Sequence, residues 1–365
     1  MRFRRVLALF LVFLLIFHVC FNAYVQYNSS KQRSNKFTAP PPLANNDNSK
    51  QLSNKFTAPP PMWTKDNSNQ IIVLVWLSIF RPYHKLRSCI ALFNITDCLI
   101  TTDRNVYSKA HGLLIHHRDI RNDLSNLPSM VRPPFQKWVW MNFESPSNSK
   151  RIPGINNLFN LTMNYRLDAN ISIHETVVPK QEDNLYVIPK KNHLVCWIVS
   201  NWNPAHERVK FYNLLKEHIN ISVFGRPAKY LTNQEYASTV SSCKFYLSFE
   251  NSKHKDYITE KLYKPLDLGT VPVVLGPPRE QYENIVPGDA FIHVDDFLSP
   301  KELASHLHFL DKNDTEYHRY FDWKRRLKVK YVNFPIEHAC RACDYLKRHS
   351  DEYSSFDNLN QWYWG

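Results

Sequence analysis

The chain of 365 residues contains only seven glycines. None falls in a G-x-G-x-x-G or G-x-x-x-x-G-K-[ST] pattern, so neither a glycine-rich dinucleotide fingerprint nor a phosphate loop can be argued. No D-x-D triplet occurs either, and Asp295-Asp296 is adjacent rather than spaced. A divalent ion bridged to a diphosphate by a spaced acidic pair is therefore not expected; cationic side chains would have to take over that task. A second C-x-x-C is also lacking. Cys340-Arg341-Ala342-Cys343, with His338 alone beside it, makes a poor zinc site or redox centre and reads as structural disulfide chemistry. No metal ligands are expected.

What is present is a globular composition, 43% hydrophobic and 14% aromatic, enough for two core-bearing domains. The formal charge of +13 would suit nucleic acid in a cytosolic protein. Behind a membrane it suits an anionic small ligand or glycan and membrane surroundings, and the N-terminus argues for that side. Arg2, Arg4 and Arg5 form a short basic tail (1–5) before the uncharged run Val6–Val25. Those ~20 residues are long enough as a helix to cross a bilayer core. The expectation is a retained anchor over 6–27, cytosolic N-terminus and lumenal remainder: a single-pass type II membrane protein.

Two further features agree with a secretory lumen. N-x-[ST] sequons stand at Asn28, Asn94, Asn160, Asn170, Asn220 and Asn313. Six cysteines lie outside the anchor, with the short local pairs Cys89–Cys98 and Cys340–Cys343 as first expectations and Cys196–Cys243 by remainder. Between anchor and globular part, KQRSNKFTAPPP at 31–42 recurs 19 residues later at 50–61 as KQLSNKFTAPPP. The proline triplets and polar residues of 28–69 cannot bury a core, so this segment is expected to be a disordered stem.

From residue 70 onward, apolar strand-like runs alternate with helical links. Ile71–Trp76, Cys98–Thr101, Gly112–His116 and Lys137–Met141 fill a first half (70–190). Leu194–Val199, Ile221–Phe224, Phe245–Phe249, Val271–Gly276 and Phe291–Val294 fill a second (191–365). Asn203-Pro204 is expected to start a helix running to about His218, and Ser299-Pro300 another to about Leu310. The economical architecture is α/β, two Rossmann-like domains facing a cleft.

Chemistry concentrates where strands end. Thr259 caps a helix start, Glu260 favours the positive end of its dipole, and Lys261 can reach a phosphate from the same turn. Arg208, about one turn into the helix opened by Asn203, can fork around a pyrophosphate. Glu144 closes the apolar run Trp138–Phe143, where a carboxylate beside aromatic surface has a route to a raised pKa and a general-base role. His116-His117-Arg118-Asp119 supplies two imidazoles, a guanidinium and a carboxylate, read as the polar rim of an acceptor groove. Pro265 falls inside the helix begun at Glu260, where it removes a hydrogen bond and is expected to kink the helix.

The combination of Phe249-Glu250-Asn251-Ser252, Tyr257-Ile258-Thr259-Glu260-Lys261-Leu262, Val271–Gly276 and Ala290–Phe297 resembles the α1,3/α1,4-fucosyltransferase family, glycosyltransferase family 10, from about residue 70 to the C-terminus. The resemblance implies a GT-B-like fold with the donor in the second half. It implies an inverting transfer from GDP-β-L-fucose to the 3-hydroxyl of N-acetylglucosamine, with Glu144 as base. Arg208 and Lys261 would hold the GDP diphosphate, Glu260 the ribose or fucose hydroxyls, and Asn251 and Tyr257 the donor sugar and phosphate neighbourhood. Arg at position 118 goes with β1,4-linked galactose acceptors in the family, implying Lewis x-type products on lactosamine chains of glycoproteins and glycolipids. No obligatory cofactor is implied, with stimulation by Mn²⁺ left open, and the implied location is a Golgi cisterna. One departure is Leu77-Ser78-Ile79, where relatives tend to have Pro-Phe-Gly. Two rival readings are core α1,3-fucosylation of the N-glycan chitobiose and a membrane-tethered glycan-binding protein without catalysis.

Overall fold

The computed structural model describes residues 70–77, 89–181, 186–226, 228, 231–352 and 355–365. The basic tail (1–5), the anchor (6–27), the stem (28–69) with Asn28, and Ser78 and Ile79 lie outside the described residues. Among the described residues no helix is long and apolar enough to cross a membrane.

The apolar runs become parallel strands, the inner ones buried on both faces as continuous hydrophobic segments require, while the edge runs Cys98–Thr101 and Ile221–Gly225 are largely half-buried. The first sheet contains β1 (Ile71–Leu77), β2 (Cys98–Thr101), β3 (Gly112–His116), β4 (Lys137–Met141), β5 (Leu161–Asn164) and β6 (Ile171–Ser172), in the order β2-β1-β3-β4-β5-β6. After β7 (Thr176–Pro179), the second sheet follows with β8 (His193–Val199), β9 (Ile221–Gly225), β10 (Cys243–Phe249), β11 (Val271–Leu275) and β12 (Ile292–His293), in the order β12-β11-β10-β8-β9. Strand β13 (Leu327–Lys330) pairs antiparallel with β7. Both sheets are wound alike: the second strand lies outside the first, and the third and later strands lie on its other side. The winding therefore reverses between β1 and β3 and again between β8 and β10, and crevices at such reversals are where α/β sheets bind ligands.

The helices are α1 (Cys89–Phe93), α2 (Glu207–Leu215), α3 (Asn233–Ser241), α4 (Glu260–Leu268), α5 (Arg279–Glu283), α6 (Pro300–Asp311), α7 (Asp314–Arg319), α8 (Ile336–Arg348) and α9 (Leu359–Trp364). Ser299 caps α6, its hydroxyl accepting the Glu302 N–H at 3.2 Å, as the Ser-Pro signal implies. The start of α2 differs from expectation. Asn203 instead closes a turn, its Oδ1 accepting the Ala205 N–H at 2.9 Å, and the helix begins at Glu207 and ends at Leu215. Asn bonds its own following backbone as readily as it caps, and here the turn wins.

Residues Leu303, Leu307 and Leu310 of α6 pack with Val195, Phe245 and Val273 on one face of the second sheet, while Leu262, Tyr263 and Leu266 of α4 pack with Val274. The first sheet is covered by the end of the chain. Ala339, Ala342 and Leu346 of α8 pack with Val73, Val75, Leu114 and Val139, and Leu359 and Tyr363 of α9 pack with Leu113, Trp138 and Trp140. Each fully buried Leu here is worth about 1.5–3 kcal/mol. A Cβ on Gly112 would run into the Leu346 side chain, so a larger residue there would force Leu346 of α8 to shift.

Three disulfides form. Cys196–Cys243 joins β8 to β10 as expected by remainder. The local pairs are corrected: the bonds are Cys89–Cys340 and Cys98–Cys343, with sequence separations of 251 and 245. Cys340 and Cys343, one turn apart on α8, share the helix face that packs on α1 and β2, so each meets a cysteine from those elements rather than its neighbour.

Candidate active site

The winding reversal of the second sheet is occupied by Arg208, the second residue of α2. It is only 5% exposed. Its Nη2 donates to the carbonyl of Asn201 after β8 at 2.6 Å, and Nη1 to the carbonyl of Phe249 ending β10 at 3.5 Å. Its Nε is buried without a partner, and no carboxylate lies within ion-pair reach among the described residues. Burial pulls its pKa down against the attraction of Glu250. A buried guanidinium neutralised by carbonyl dipoles alone is a poor structural ion pair and a good seat for an anion.

Strand β10 runs into Glu250, and the turn that returns to α4 closes on it. Glu250, 2% exposed, accepts the Thr259 N–H at 2.9 Å and the Thr259 hydroxyl at 2.8 Å through Oε1. Its Oε2 meets Lys261 Nζ at 3.0 Å. The ammonium also donates to Thr259 Oγ1 at 2.8 Å and reaches Glu260 Oε1 at 3.4 Å, while its side chain stays 25% exposed. Burial raises the Glu250 pKa, with Lys261 offsetting part of it. Burial alone would depress Lys261, but Glu250 and Glu260 outweigh it and the net shift is upward. The cation is thus held charged at the helix N-terminus.

Glu144 lies just beyond β4, and its carboxylate reaches the second half. Oε1 accepts the Tyr257 hydroxyl at 2.7 Å, the Ser145 N–H at 3.1 Å and Asn251 Nδ2 at 3.4 Å. Oε2 makes no hydrogen bond to a described residue, so one oxygen is pinned and the other is left with its lone pairs free. Other contacts dock the 250–259 loop on the first half: Ser252 Oγ donates to Ser145 Oγ at 2.7 Å, Asp256 Oδ2 accepts the Leu167 N–H at 3.0 Å, and Lys255 pairs with Asp168 at 2.9 Å. Beside them a cavity of about 210 Å³ opens between Phe143 and Tyr165 on one side and Thr259 and Glu260 on the other. Five expected residues, Glu144, Asn251, Tyr257, Glu260 and Lys261, therefore meet around the junction of the halves.

The His116–Arg118 rim is less uniform than its sequence suggests. Arg118 is exposed and makes no hydrogen bond or ion pair to a described residue. His116 Nδ1 faces Asp119 Oδ2 at 3.1 Å. His117 is 2% exposed and is a core residue: Nδ1 accepts the Trp140 indole N–H at 3.1 Å, so the neutral ring carries its proton on Nε2 and donates to the Lys150 carbonyl at 2.8 Å. Burial lowers its pKa to about 4. With both nitrogens engaged, His117 has no group left for a ligand and is corrected to a structural role. Strand alternation points the two adjacent imidazoles apart. Among the sequons, Asn94, Asn170 and Asn220 are exposed, and Asn160 and Asn313 are half-buried. Among the described residues no group of three or more His, Cys, Asp or Glu side chains is placed to hold a metal ion.

Thr259 caps α4 as expected, its hydroxyl accepting the Lys261 N–H; sequence reasoning did not assign roles to Glu250, to the Ser248 hydroxyl, or to Tyr165 and Tyr363. Glu250 stands within a motif already singled out, and its position directly after a buried strand was the available signal. The tyrosines carry no local signal, since their partners are remote in sequence.

Two parallel α/β halves of like winding, with side chains converging from their strand ends, define a GT-B-like fold of the glycosyltransferase class. Residues 188–362 match the family model described as Glycosyltransferase family 10 (fucosyltransferase) C-term, and residues 68–176 that described as Fucosyltransferase, N-terminal; the chain belongs to this α1,3-fucosyltransferase family. It is 51% identical over 294 residues to 4-galactosyl-N-acetylglucosaminide 3-alpha-L-fucosyltransferase 9 of Homo sapiens, covering 80% of this chain and 82% of the relative, with the same figures for the Bos taurus protein. Alpha-(1,3)-fucosyltransferase 4 of Bos taurus is 39% identical over 338 residues, 80% of this chain and 85% of that one. The fold is similar to a crystal structure of alpha1,3-fucosyltransferase, with a TM-score of 0.50 at 16% identity over 78% of this chain and 90% of that one. A second crystal structure, with GDP, gives a TM-score of 0.50 at 15% identity over 85% and 95%.

Proposed function

We propose that this enzyme transfers fucose from GDP-β-L-fucose to the 3-hydroxyl of N-acetylglucosamine in type 2 lactosamine chains, with inversion, giving Lewis x-type products. The acceptor class rests on the relatives named 4-galactosyl-N-acetylglucosaminide 3-alpha-L-fucosyltransferase and on Arg118, exposed at the end of β3. The observation that carries the chemistry is Glu144: Oε1 is fixed by Tyr257, Ser145 and Asn251, and Oε2 is unengaged beside the junction of the halves. In this reading Oε2 takes the proton of the sugar 3-hydroxyl as its oxygen attacks the anomeric carbon. The bond from that carbon to the β-phosphate oxygen breaks on the opposite face, so the β-linked donor gives an α-fucoside.

Charge developing on the departing GDP is met by Arg208 and Lys261. Each is already held in place, so little reorganisation accompanies the reaction. Glu260 takes donor hydroxyls, and Asn251 and Tyr257 line the donor sugar. Lactosamine chains on glycoproteins and glycolipids are the acceptors, in a Golgi cisterna with the enzyme anchored as a type II membrane protein and its globular part lumenal; no divalent ion is required in this reading.

The test is Glu144→Gln, which keeps size and hydrogen-bonding shape. Turnover should fall by at least ~10² while GDP binding stays intact. Full activity of this variant removes Glu144 as the base, and linkage analysis of the product with lactosamine against a chitobiose core acceptor decides the acceptor class.

A further inference from the structure

Glu144 is gripped at its other end by the tail of the chain. While Tyr257 from the second half donates to its carboxylate, the hydroxyl of Tyr363 in α9 donates to its backbone carbonyl. Tyr363 is 3% exposed and meets Trp140 edge-on with ring centroids 4.8 Å apart. Its hydroxyl lies 3.5 Å from that of Tyr165, whose ring in turn meets Tyr257 at 5.0 Å. The rest of α9 is bound to the segment that follows Glu144: Trp364 Nε1 donates to the Ser149 carbonyl at 3.0 Å, Asn360 Nδ2 to the Ile152 carbonyl at 3.0 Å, and the Asn360 N–H to Asn156 Oδ1 at 2.9 Å. Glu144 itself lies between the end of β4 and a short 3-10 turn at Pro146–Asn148, so these contacts hold a segment that no long element anchors.

A tyrosine that only filled the core would need its ring and not its hydroxyl. Here the hydroxyl is spent on the carbonyl of the 144–145 peptide, one of the two peptide groups that set the direction of the Glu144 side chain. We propose that Tyr363 is a positioning residue for Glu144, fixing its peptide so that Oε2 faces the acceptor hydroxyl while Tyr257 fixes Oε1. This rests on Glu144 being the general base. Displacing a reacting group by ~1 Å lowers rates by roughly 10²-fold, which sets the scale of the effect.

The experiment compares Tyr363→Phe with Glu144→Gln in the full chain, with kcat expressed per GDP-binding site measured by titration. Tyr363→Phe should lower kcat by ~10- to 10²-fold with GDP affinity and the KM for GDP-fucose within about twofold of wild type, because only the reacting geometry is disturbed. If GDP binding and rate fall together, the hydroxyl serves folding and the proposal is overturned. An inactive Glu144→Gln beside a Tyr363→Phe of wild-type kcat also overturns it and leaves the base intact. A fully active Glu144→Gln sinks the base reading, and the proposal with it.

Discussion

The hydroxyl of Ser248, in β10, donates to the backbone carbonyl of Lys261 at 2.6 Å. In an unbroken helix that carbonyl would accept the N–H of residue 265, but Pro265 has none. Ser248 supplies the missing donor, and α4 runs from Glu260 to Leu268 with Pro265 inside it. The exchange also ties the backbone of Lys261 directly to the central strand of the second sheet, so a helix defect becomes a fixing point for the cation.

Ser248→Ala should therefore lower stability by about 1–3 kcal/mol, the usual effect of a buried acceptor left unmade. Adding Pro265→Ala restores an N–H for the same carbonyl, so the double variant should recover part of the loss. Urea unfolding of both single variants and the double one measures this, and strictly additive effects would falsify the link.

Lys261→Met should weaken GDP binding tenfold or more, about 1.4 kcal/mol, by calorimetry. It also strands the buried Glu250 carboxylate and so lowers the melting temperature. Adding Glu250→Gln should recover melting but not GDP affinity. Recovery of both would show that Lys261 serves the fold alone. Arg208→Ala should likewise weaken GDP, and undiminished affinity would refute its diphosphate role.

His117 binds a proton near pH 4 when folded and near 6.5 when unfolded. Its contribution is then fully present above about 6.5 and is lost as pH falls from 6.5 to 4, where the loss levels off. The whole effect is on the order of 3 kcal/mol. Urea midpoints at neutral and mildly acidic pH should show the slope, and His117→Gln should flatten it; an unchanged slope would place the acid sensitivity elsewhere.

Transfer should continue in excess chelator, with added Mn²⁺ changing the rate only modestly, because the diphosphate charge is assigned to Arg208 and Lys261. Complete loss in EDTA, restored by a divalent ion, would return a metal to the mechanism.

Peptide mapping of the unreduced protein should recover Cys89 linked to Cys340 and Cys98 linked to Cys343. Closing loops of this length stabilises by on the order of 5 kcal/mol in the chain-entropy picture. The two bonds close nearly the same loop, so removing either alone should have a modest effect. A Cys340–Cys343 peptide would contradict this connectivity.

The strands were legible because parallel, doubly covered strands must be runs such as Val271–Leu275 and Phe245–Phe249, whose short length and β-branched or aromatic content favour strand over buried helix. The turn at Thr259–Lys261 was legible for a local reason too, since capping and dipole preferences act within four residues. What the sequence hides is everything decided across the fold. Nothing near Cys89 says that its partner is 251 residues away, nothing near His117 says that Trp140 and Lys150 will consume both its nitrogens, and nothing in the tail says that Tyr363 will close on Glu144. Nor does anything near Pro265 say that the carbonyl it leaves unmatched will be met by Ser248, a residue on a different element.

Because α8 and α9 roof the two faces of the first sheet, the half that is synthesised first is the last to be finished. A nascent chain can assemble its β8–β12 core from contiguous residues while β1–β6 still wait, greasy on both sides and with Cys89 and Cys98 unmatched, for α8 and α9. Anything that delays or blocks those two helices would thus be felt first in the other half of the fold, as aggregation of an orphaned first sheet.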